Sequence, residues 1–403
     1  MSITIVYVAI VGQNYGGVEQ KIISQFDALK QYRSNVFLYL LTSFPPRGAF
    51  AEQIKKRSGV HVLVNSSEKA GNPVTRRMEK FTLLTNALKR HDPGKTIIYF
   101  RHPDSDYAFC RFLKENPRFK IVTEHQEIEN EYRVYKFKGN HINNILETIY
   151  GRSVRRRLAA FVGVTPQITD FEMKESGQPY KMNYTMGNGI DVHRYPLRSL
   201  NTGHPEIIKI LFVGSGYLKH GLDRLIKGLG NYVQSGTGAY TINVRIAGQS
   251  RQMKRNVQLV QKLKLNNYVE FLGDRSLDEL NVHFDWADVA LGSLGFHRGG
   301  LKYTSTLKSR EYFSRGIPFF DSGYDEDLVP CEKYVYAIDA DESPINIPDV
   351  IDFALKMRED IQHPKEMRDY AMTYLDWTIK MKGLIEFLES VLIRQPELLP
   401  ETI

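Results

Sequence analysis

The stretch IIKILFVGSGYLKHGLDRLIKGLGNYV, Ile207–Val233, decides the fold. Its first seven residues are almost all β-branched or large and apolar, the composition of a strand covered on both faces. The run stops at Gly214 and Gly216. From Gly221 onward, apolar residues return at three- and four-residue spacing, which marks an amphipathic helix. The same unit opens the chain. ITIVYVAI (Ile3–Ile10) leads through GQNYGGVEQK (Gly12–Lys21) into EQKIISQFDALKQY (Glu19–Tyr32), where Ile22, Ile23, Phe26 and Leu29 share one face.

Outward from these two openings the alternation continues. NVFLYLL (Asn35–Leu41), VHVLV (Val60–Val64), TIIYF (Thr96–Phe100), KIVTE (Lys120–Glu124) and AFVGVT (Ala160–Thr165) read as strands of the first half. TINVRIAGQ (Thr241–Gln249), YVEFLG (Tyr268–Gly273), WADVALGSLG (Trp286–Gly295) and GIPFFDSG (Gly316–Gly323) read as strands of the second, with VQLVQKLKL (Val257–Leu265) among the helices between them. Strand–helix alternation predicts α/β architecture, with parallel sheets and right-handed crossovers. The expectation is two doubly wound, Rossmann-like domains, residues 1–200 and 205–372, joined through Pro196–Pro205 and facing each other across a ligand cleft at their strand ends. The amphipathic segment Ala371–Gln395 is expected to break near Asp376–Trp377, with residues 373–403 packing back on the first domain.

Composition agrees. The chain has 403 residues, 42% hydrophobic and 25% charged, too many for one core and too apolar for a disordered chain. Cys110 and Cys331 form no C-x-x-C pair, so a disulfide framework or structural zinc is not expected and a reducing cytoplasm is. No apolar run approaches the ~20 residues of a membrane span. ITIVYVAIVG (Ile3–Gly12) lacks the basic segment and cleavage site of a signal peptide. Residues 1–200 carry 30 Lys and Arg against 18 Asp and Glu, whereas the remainder is net acidic. The first domain is therefore expected to face something anionic.

Three segments carry candidate chemistry. In the first loop, Gly16 and Gly17 allow close approach to a ligand at a helix N-terminus, but the dinucleotide spacing G-x-G-x-x-G is absent and a tight strand–helix turn reads equally well. In the second, Gly214, Ser215 and Gly216 precede Lys219 and His220, where an anion meets a helix start and a cation. Asp223 and Arg224 read as first-turn surface residues. The third, SLGFHRGGLKYTSTLKSREYFSRGIPFFDSG (Ser293–Gly323), brings His297, Arg298 and Lys302 toward the N-cap candidates Thr304, Ser305 and Thr306, then Leu307, Lys308 and Glu311. Amides, hydroxyls and up to four cations at one helix start suit a diphosphate. Glu311, expected about two turns in, is placed to hold ribose hydroxyls or to pair with Lys308 or Arg315.

Together these segments resemble the GT-B glycosyltransferases, and among them the retaining nucleotide-sugar enzymes of glycosyltransferase family 4. The resemblance spans nearly the whole chain. It rests on GGVE (Gly16–Glu19), GNGIDVHRY (Gly187–Tyr195, closing the first domain), ILFVGSG through HGLDRLI, and LKSREYFSRGIPF (Leu307–Phe319). It implies that Glu311 holds the donor ribose, that His125 in VTEH (Val122–His125) reaches the donor sugar, and that FLGDR, with Gly273, Asp274 and Arg275, lies against the nucleobase. It also implies retention at the anomeric carbon. Ser215 and His220 stand where the family carries an Arg and a Lys on the diphosphate, and Tyr303 stands where it carries a second Glu. Forms such as HGLDRLI and LKSREY resemble bacterial capsule, O-antigen and exopolysaccharide transferases. Lys308, Arg298 and Lys219 are the expected replacement cations.

The implied partners are a nucleotide-sugar donor, serving as co-substrate with no further cofactor, and a glycan or lipid-linked acceptor. Basic clusters at Arg76–Arg77, Lys136–Lys138 and Arg152–Arg157, interleaved with Tyr132, Tyr135, Phe137 and Tyr150, read as a nucleic-acid groove or as a peripheral surface for an anionic inner membrane face. Given the resemblance, a lipid-diphosphate-linked glycan acceptor explains the polarity best, and no nucleic acid is expected. A plain solvated basic face is the alternative. Asp104 and Asp106 form a D-x-D read as loop chemistry, a helix cap among its options, and no obligatory metal is expected. Rival readings are a nucleotide-sugar 2-epimerase of the same architecture and a non-catalytic glycan-binding or partner subunit.

Overall fold

The computed structural model describes residues 3–65, 72–128, 141–200, 204–236 and 238–394. The chain divides into two compact units, Met1–Gly187 with Trp377–Ile403, and Asn188–Asp376.

The first unit is a seven-stranded parallel sheet in the order β3-β2-β1-β4-β5-β6-β7. Its strands are β1 (Thr4–Ile10), β2 (Val36–Thr42), β3 (Val60–Val64), β4 (Thr96–Arg101), β5 (Lys120–His125), β6 (Ala160–Gly163) and β7 (Met182–Thr185). Helices α1 (Gly17–Tyr32), α2 (Gly48–Lys55), α3 (Pro73–Leu88), α4 (Tyr107–Glu115), α5 (His141–Arg157) and α6 (Pro166–Ser176) alternate with them. Ile5, Val6, Tyr7 and Val8 of β1 are all fully buried, which accounts for the unbroken apolar run.

The second unit is a six-stranded parallel sheet, β10-β9-β8-β11-β12-β13. It comprises β8 (Ile207–Val213), β9 (Thr241–Ala247), β10 (Val269–Gly273), β11 (Val289–Leu291), β12 (Phe319–Asp321) and β13 (Val335–Ala337). Its helices are α7 (Leu222–Ser235), α8 (Met253–Lys262), α9 (Leu277–Trp286), α10 (Leu307–Arg315), α11 (Ile347–Glu359) and α12 (His363–Tyr370). The chain runs β8, β9, β10 and then returns to β11 on the other side of β8. The topological switch point, where ligands of open α/β sheets bind, therefore lies between β8 and β11.

The division differs from the expected one. The segment after Gly187 belongs to the second unit, because Ile190 N–H donates to the Leu375 carbonyl at 2.9 Å and Val192 N–H to Asp376 at 3.2 Å. Asp376, with extended backbone, ends a π-helical turn at Ala371–Leu375, and α13 (Trp377–Ile393) starts immediately after it. The break thus falls where the sequence placed it. Helix α13 packs on α1, and Lys120 Nζ caps its end by donating to the carbonyls of Val391 and Leu392 at 2.9 and 3.0 Å. Cys110 and Cys331 are both free thiols. Among the described residues no helix is long and apolar enough to cross a membrane.

Candidate active site

The strand ends of the second unit lie side by side. Gly214 N–H donates to the Ala247 carbonyl, and Gly248 N–H to the Gly273 carbonyl at 2.8 Å, so the loops after β8, β9 and β10 form one floor. Gly248 has φ +124°, and a Cβ there would collide with the Gly214 carbonyl oxygen. Only glycine lets these two loops meet.

Lys308 reaches the switch point. Its Nζ donates to the Gly292 carbonyl at 3.1 Å, just past β11, and lies 4.9 Å from the centre of the Phe212 ring in β8. Burial lowers its pKa and the nearby Asp321 carboxylate raises it, while Lys219 adds a repulsive charge. Asp321 in turn is pushed up by burial, with its oxygens accepting from the Gly323 and Ser293 amides at 2.9 and 3.0 Å. The His220 ring packs against Phe212 and is pushed down to about 2, by burial first and then by Lys308 and Lys219. It is uncharged at neutral pH, so it supplies no charge to an anion bound there. Its Nδ1 and the Ser293 Oγ are buried and have no hydrogen-bond partner among the described residues. Orphaned polar atoms of this kind are uncommon in folded chains and fit a ligand site.

Of the other residues singled out, several are committed to the fold. Arg298 is the clearest correction. Its guanidinium binds both oxygens of Asp223 at 2.9 Å, both oxygens of Glu342 at 2.8 and 2.7 Å, and the Leu218 carbonyl at 2.7 Å. All five of its N–H donors are used, leaving none for a diphosphate. Asp223 is thus a partner of that pin, and Arg224 is fully buried on the Ser343, Leu294 and Asp339 carbonyls. Neither is a plain surface residue. His297 is likewise engaged, 2.9 Å from Glu342.

At the start of α10 the Thr306 and Ser305 hydroxyls are also engaged. Thr306 is the N-cap, accepting from Ser309 N–H at 3.1 Å. Ser305 Oγ accepts from Asn188 N–H at 2.7 Å and from Arg310 at 2.8 Å. Thr304 is buried, with its N–H on the Tyr324 carbonyl at 2.9 Å. What α10 leaves available is its first amides, at Leu307 and Lys308, which have no intrahelical acceptor. Because the helix begins at Leu307, Glu311 lies about one turn in rather than two. Its Oε1 accepts from Arg315 Nε at 2.8 Å, the intrahelical pair that the sequence offered, and its side chain is 17% exposed. Burial raises its pKa. Arg315 is locked in turn by Asn281 at 2.8 Å and the Phe284 ring at 4.2 Å. Gly273 has φ +72°, and Asp274 and Arg275 after it are exposed at the outer end of the floor.

In the first unit, Glu19 occupies the helix start that the glycine loop was expected to offer, accepting from Gly12 and Gly16 N–H at 3.2 and 3.1 Å. Gly17, by contrast, has open space where a side chain would be. His125 is fully buried at the end of β5, with Nε2 2.8 Å from the Thr123 hydroxyl and Nδ1 3.4 Å from Glu172. Burial lowers its pKa to about 4. Both nitrogens face protein groups, so the structure gives no support to its contact with a sugar. Asp106 caps α4 through Phe109 N–H at 2.8 Å, as read from the sequence. Lys136–Lys138, Tyr132, Tyr135 and Asn201–Gly203 lie outside the described residues. Ser293 and Asp321 were missed as site residues, although both sit in strand-end positions beside glycines.

Solved structures share this architecture. A glycosyltransferase from Rickettsia africae is 13% identical with a TM-score of 0.64, covering 97% of this chain and 100% of its own. HepE from Anabaena, solved with UDP and glucose, is 14% identical with a TM-score of 0.66, covering 96% and 99%. WaaG, involved in lipopolysaccharide biosynthesis, is 15% identical with a TM-score of 0.64, covering 95% and 99%. The fold is that of the GT-B glycosyltransferases. No protein-family model and no curated protein matches the chain.

Proposed function

We propose that this chain, folded as the GT-B glycosyltransferases are, transfers a sugar from a nucleoside diphosphate sugar to a hydroxyl of a glycan or lipid-linked acceptor, with retention at the anomeric carbon. One observation carries the reading. At the switch point of the second sheet, the Lys308 ammonium sits on the Gly292 carbonyl next to Ser293, whose Oγ, like the Nδ1 of His220, is buried without a hydrogen-bond partner among the described residues. HepE, of the same fold, is solved with UDP-glucose, a donor of this class.

In this reading Lys308 and Lys219 neutralise the diphosphate, with the Leu307 and Lys308 amides adding the positive end of α10. His220 Nδ1 and Ser293 Oγ complete the hydrogen bonds to its oxygens. Glu311, with one oxygen fixed by Arg315, offers the other to a ribose hydroxyl. The Gly273–Arg275 loop lies along the nucleobase. As the sugar–phosphate bond breaks, its electron pair goes to the phosphate. The acceptor oxygen bonds to the anomeric carbon from the same face and its proton goes to the departing phosphate, so no strong protein base is needed. Arg298 and His125 have no contact role. The excess of basic residues in the first 200 supports a lipid-linked acceptor at an inner membrane face, and the resemblance of HGLDRLI and LKSREY to bacterial polysaccharide transferases supports a role in surface-polysaccharide synthesis.

The test is a panel of UDP-, GDP-, ADP- and dTDP-sugars, read by thermal stabilisation, hydrolysis and product analysis. One class is expected to stabilise the protein and to be hydrolysed slowly without acceptor. Release of an epimerised free sugar, or no stabilisation by any donor, would overturn the reading.

A further inference from the structure

Helix α5 is built inside out. Its one acidic residue, Glu147, is buried and ion-paired with Arg155, which is 1% exposed and also donates to Glu172 at 2.7 Å. Gly151 sits between them in sequence, and a Cβ there would land on both side chains, so a helix-interior glycine makes room for the pair. On the opposite side Ile142, Ile145 and Ile149 are 66%, 58% and 60% exposed, and Arg152, Arg156 and Arg157 are exposed after them. At about 100° per residue, Ile142, Ile145, Ile149, Arg152 and Arg156 fall within an arc of roughly 80°. A helix that buries an ion pair and shows water three isoleucines gains little stability from either choice. The fold does not explain that stripe.

We propose that this face of α5 docks the protein on an anionic lipid surface, with the isoleucines among the acyl chains and the arginines at the headgroup phosphates. The charge pattern selects that occupant. No exposed acid interrupts the stripe on α5, and residues 1–200 as a whole carry an excess of basic residues. Isoleucine depth with arginine reach is how interfacial helices hold anionic bilayers. A second copy pairing α5 with α5 about a two-fold axis would find no exposed acid on that helix to receive its arginines. The inference adds a surface to the lipid-linked acceptor reading of the proposed function, but its readout is lipid binding and not transfer.

The experiment is co-sedimentation of the full chain with phosphatidylcholine vesicles, with and without phosphatidylglycerol. Wild type is expected to bind only the anionic vesicles, more weakly as salt rises. Arg152→Gln with Arg156→Gln is expected to weaken binding about 25-fold, from roughly fivefold per charge at such a surface. Ile145→Ser with Ile149→Ser is expected to abolish the binding that survives raised salt. Both double variants change exposed residues, so each should keep the wild-type thermal midpoint and donor hydrolysis. Equal binding to neutral vesicles, no binding, or wild-type binding by both variants overturns the proposal. So does self-association that the isoleucine changes abolish without any vesicle binding. Failure of every donor in the hydrolysis panel, with vesicle binding intact, would count against the transferase reading alone.

Discussion

Lys308 and Arg298 show how little a residue's type says about its job. In the sequence both are cations near a glycine loop, and Arg298, with its planar fork, looks the better phosphate ligand. Its partners Asp223 and Glu342 lie 75 and 44 residues away, so nothing local announces that its donors are spent. The variants should therefore part. Lys308→Ala is expected to lower donor hydrolysis or transfer about 100-fold, the scale of losing one preorganised charge in a dry site, while leaving the thermal midpoint near wild type. Lys308→Met should also remove a pH dependence. Burial holds the wild-type ammonium below the ordinary lysine range, and the charged form is the binding form. Donor affinity measured by titration calorimetry should therefore fall as pH rises through that pKa in wild type and stay flat in the variant. Arg298→Ala should do the reverse, losing about 1–3 kcal/mol of stability by urea unfolding while the folded variant hydrolyses donor within a few-fold of wild type. A large catalytic loss at unchanged stability would return Arg298 to the diphosphate.

Among elements, strands with a continuous apolar run were legible, the edge strands β3 and β10 included, and the other two edges were not. Every strand with a continuous apolar run was found within a few residues. The two that escaped, β7 and β13, are sheet edges. Met182–Thr185 alternates half-buried and exposed positions, and Val335–Ala337 has only three residues. Neither has the run that identifies a strand covered on both faces. The start of α10 was legible for a different reason, because a Thr before a helical pattern has a defined capping geometry. That cap also fixes the amides assigned to the diphosphate. Thr306→Ala should cost about 1 kcal/mol of stability and raise the donor KM several-fold, whereas Thr306→Ser should keep both at wild type. A thermal midpoint and steady-state kinetics on the pair of variants check this. An equal loss in Ser and Ala would mean that the methyl group, not the hydroxyl, matters there.

At the scale of the molecule, each unit buries an uncharged histidine, and that sets a shared acid limit. His125 in the first unit and His363 in the second are both pushed down to about 4 by burial. They are 0% and 1% exposed, so solvent screening does not discount the effect. His363 is fixed by donation from Nδ1 to the Asp360 carbonyl at 2.6 Å, with Arg198 3.4 Å from Nε2, a setting with no place for a second proton. An unfolded histidine titrates near 6.5. Between that pH and about 4 the unfolded chain binds protons that the folded one refuses, so stability rises with pH across this window. The contribution is full above pH 6.5 and is lost as pH falls toward 4, at roughly 3 kcal/mol per histidine. Urea midpoints should drop steeply between pH 6.5 and pH 4.5. Hydrogen exchange should resolve the units, with β5 amides losing protection in wild type but changing less with pH in His125→Gln, which keeps a polar side chain without a titration. A urea midpoint that stays level down to pH 4.5 would mean that these histidines are solvated, and that the closed cluster removing His125 from the chemistry is open in solution.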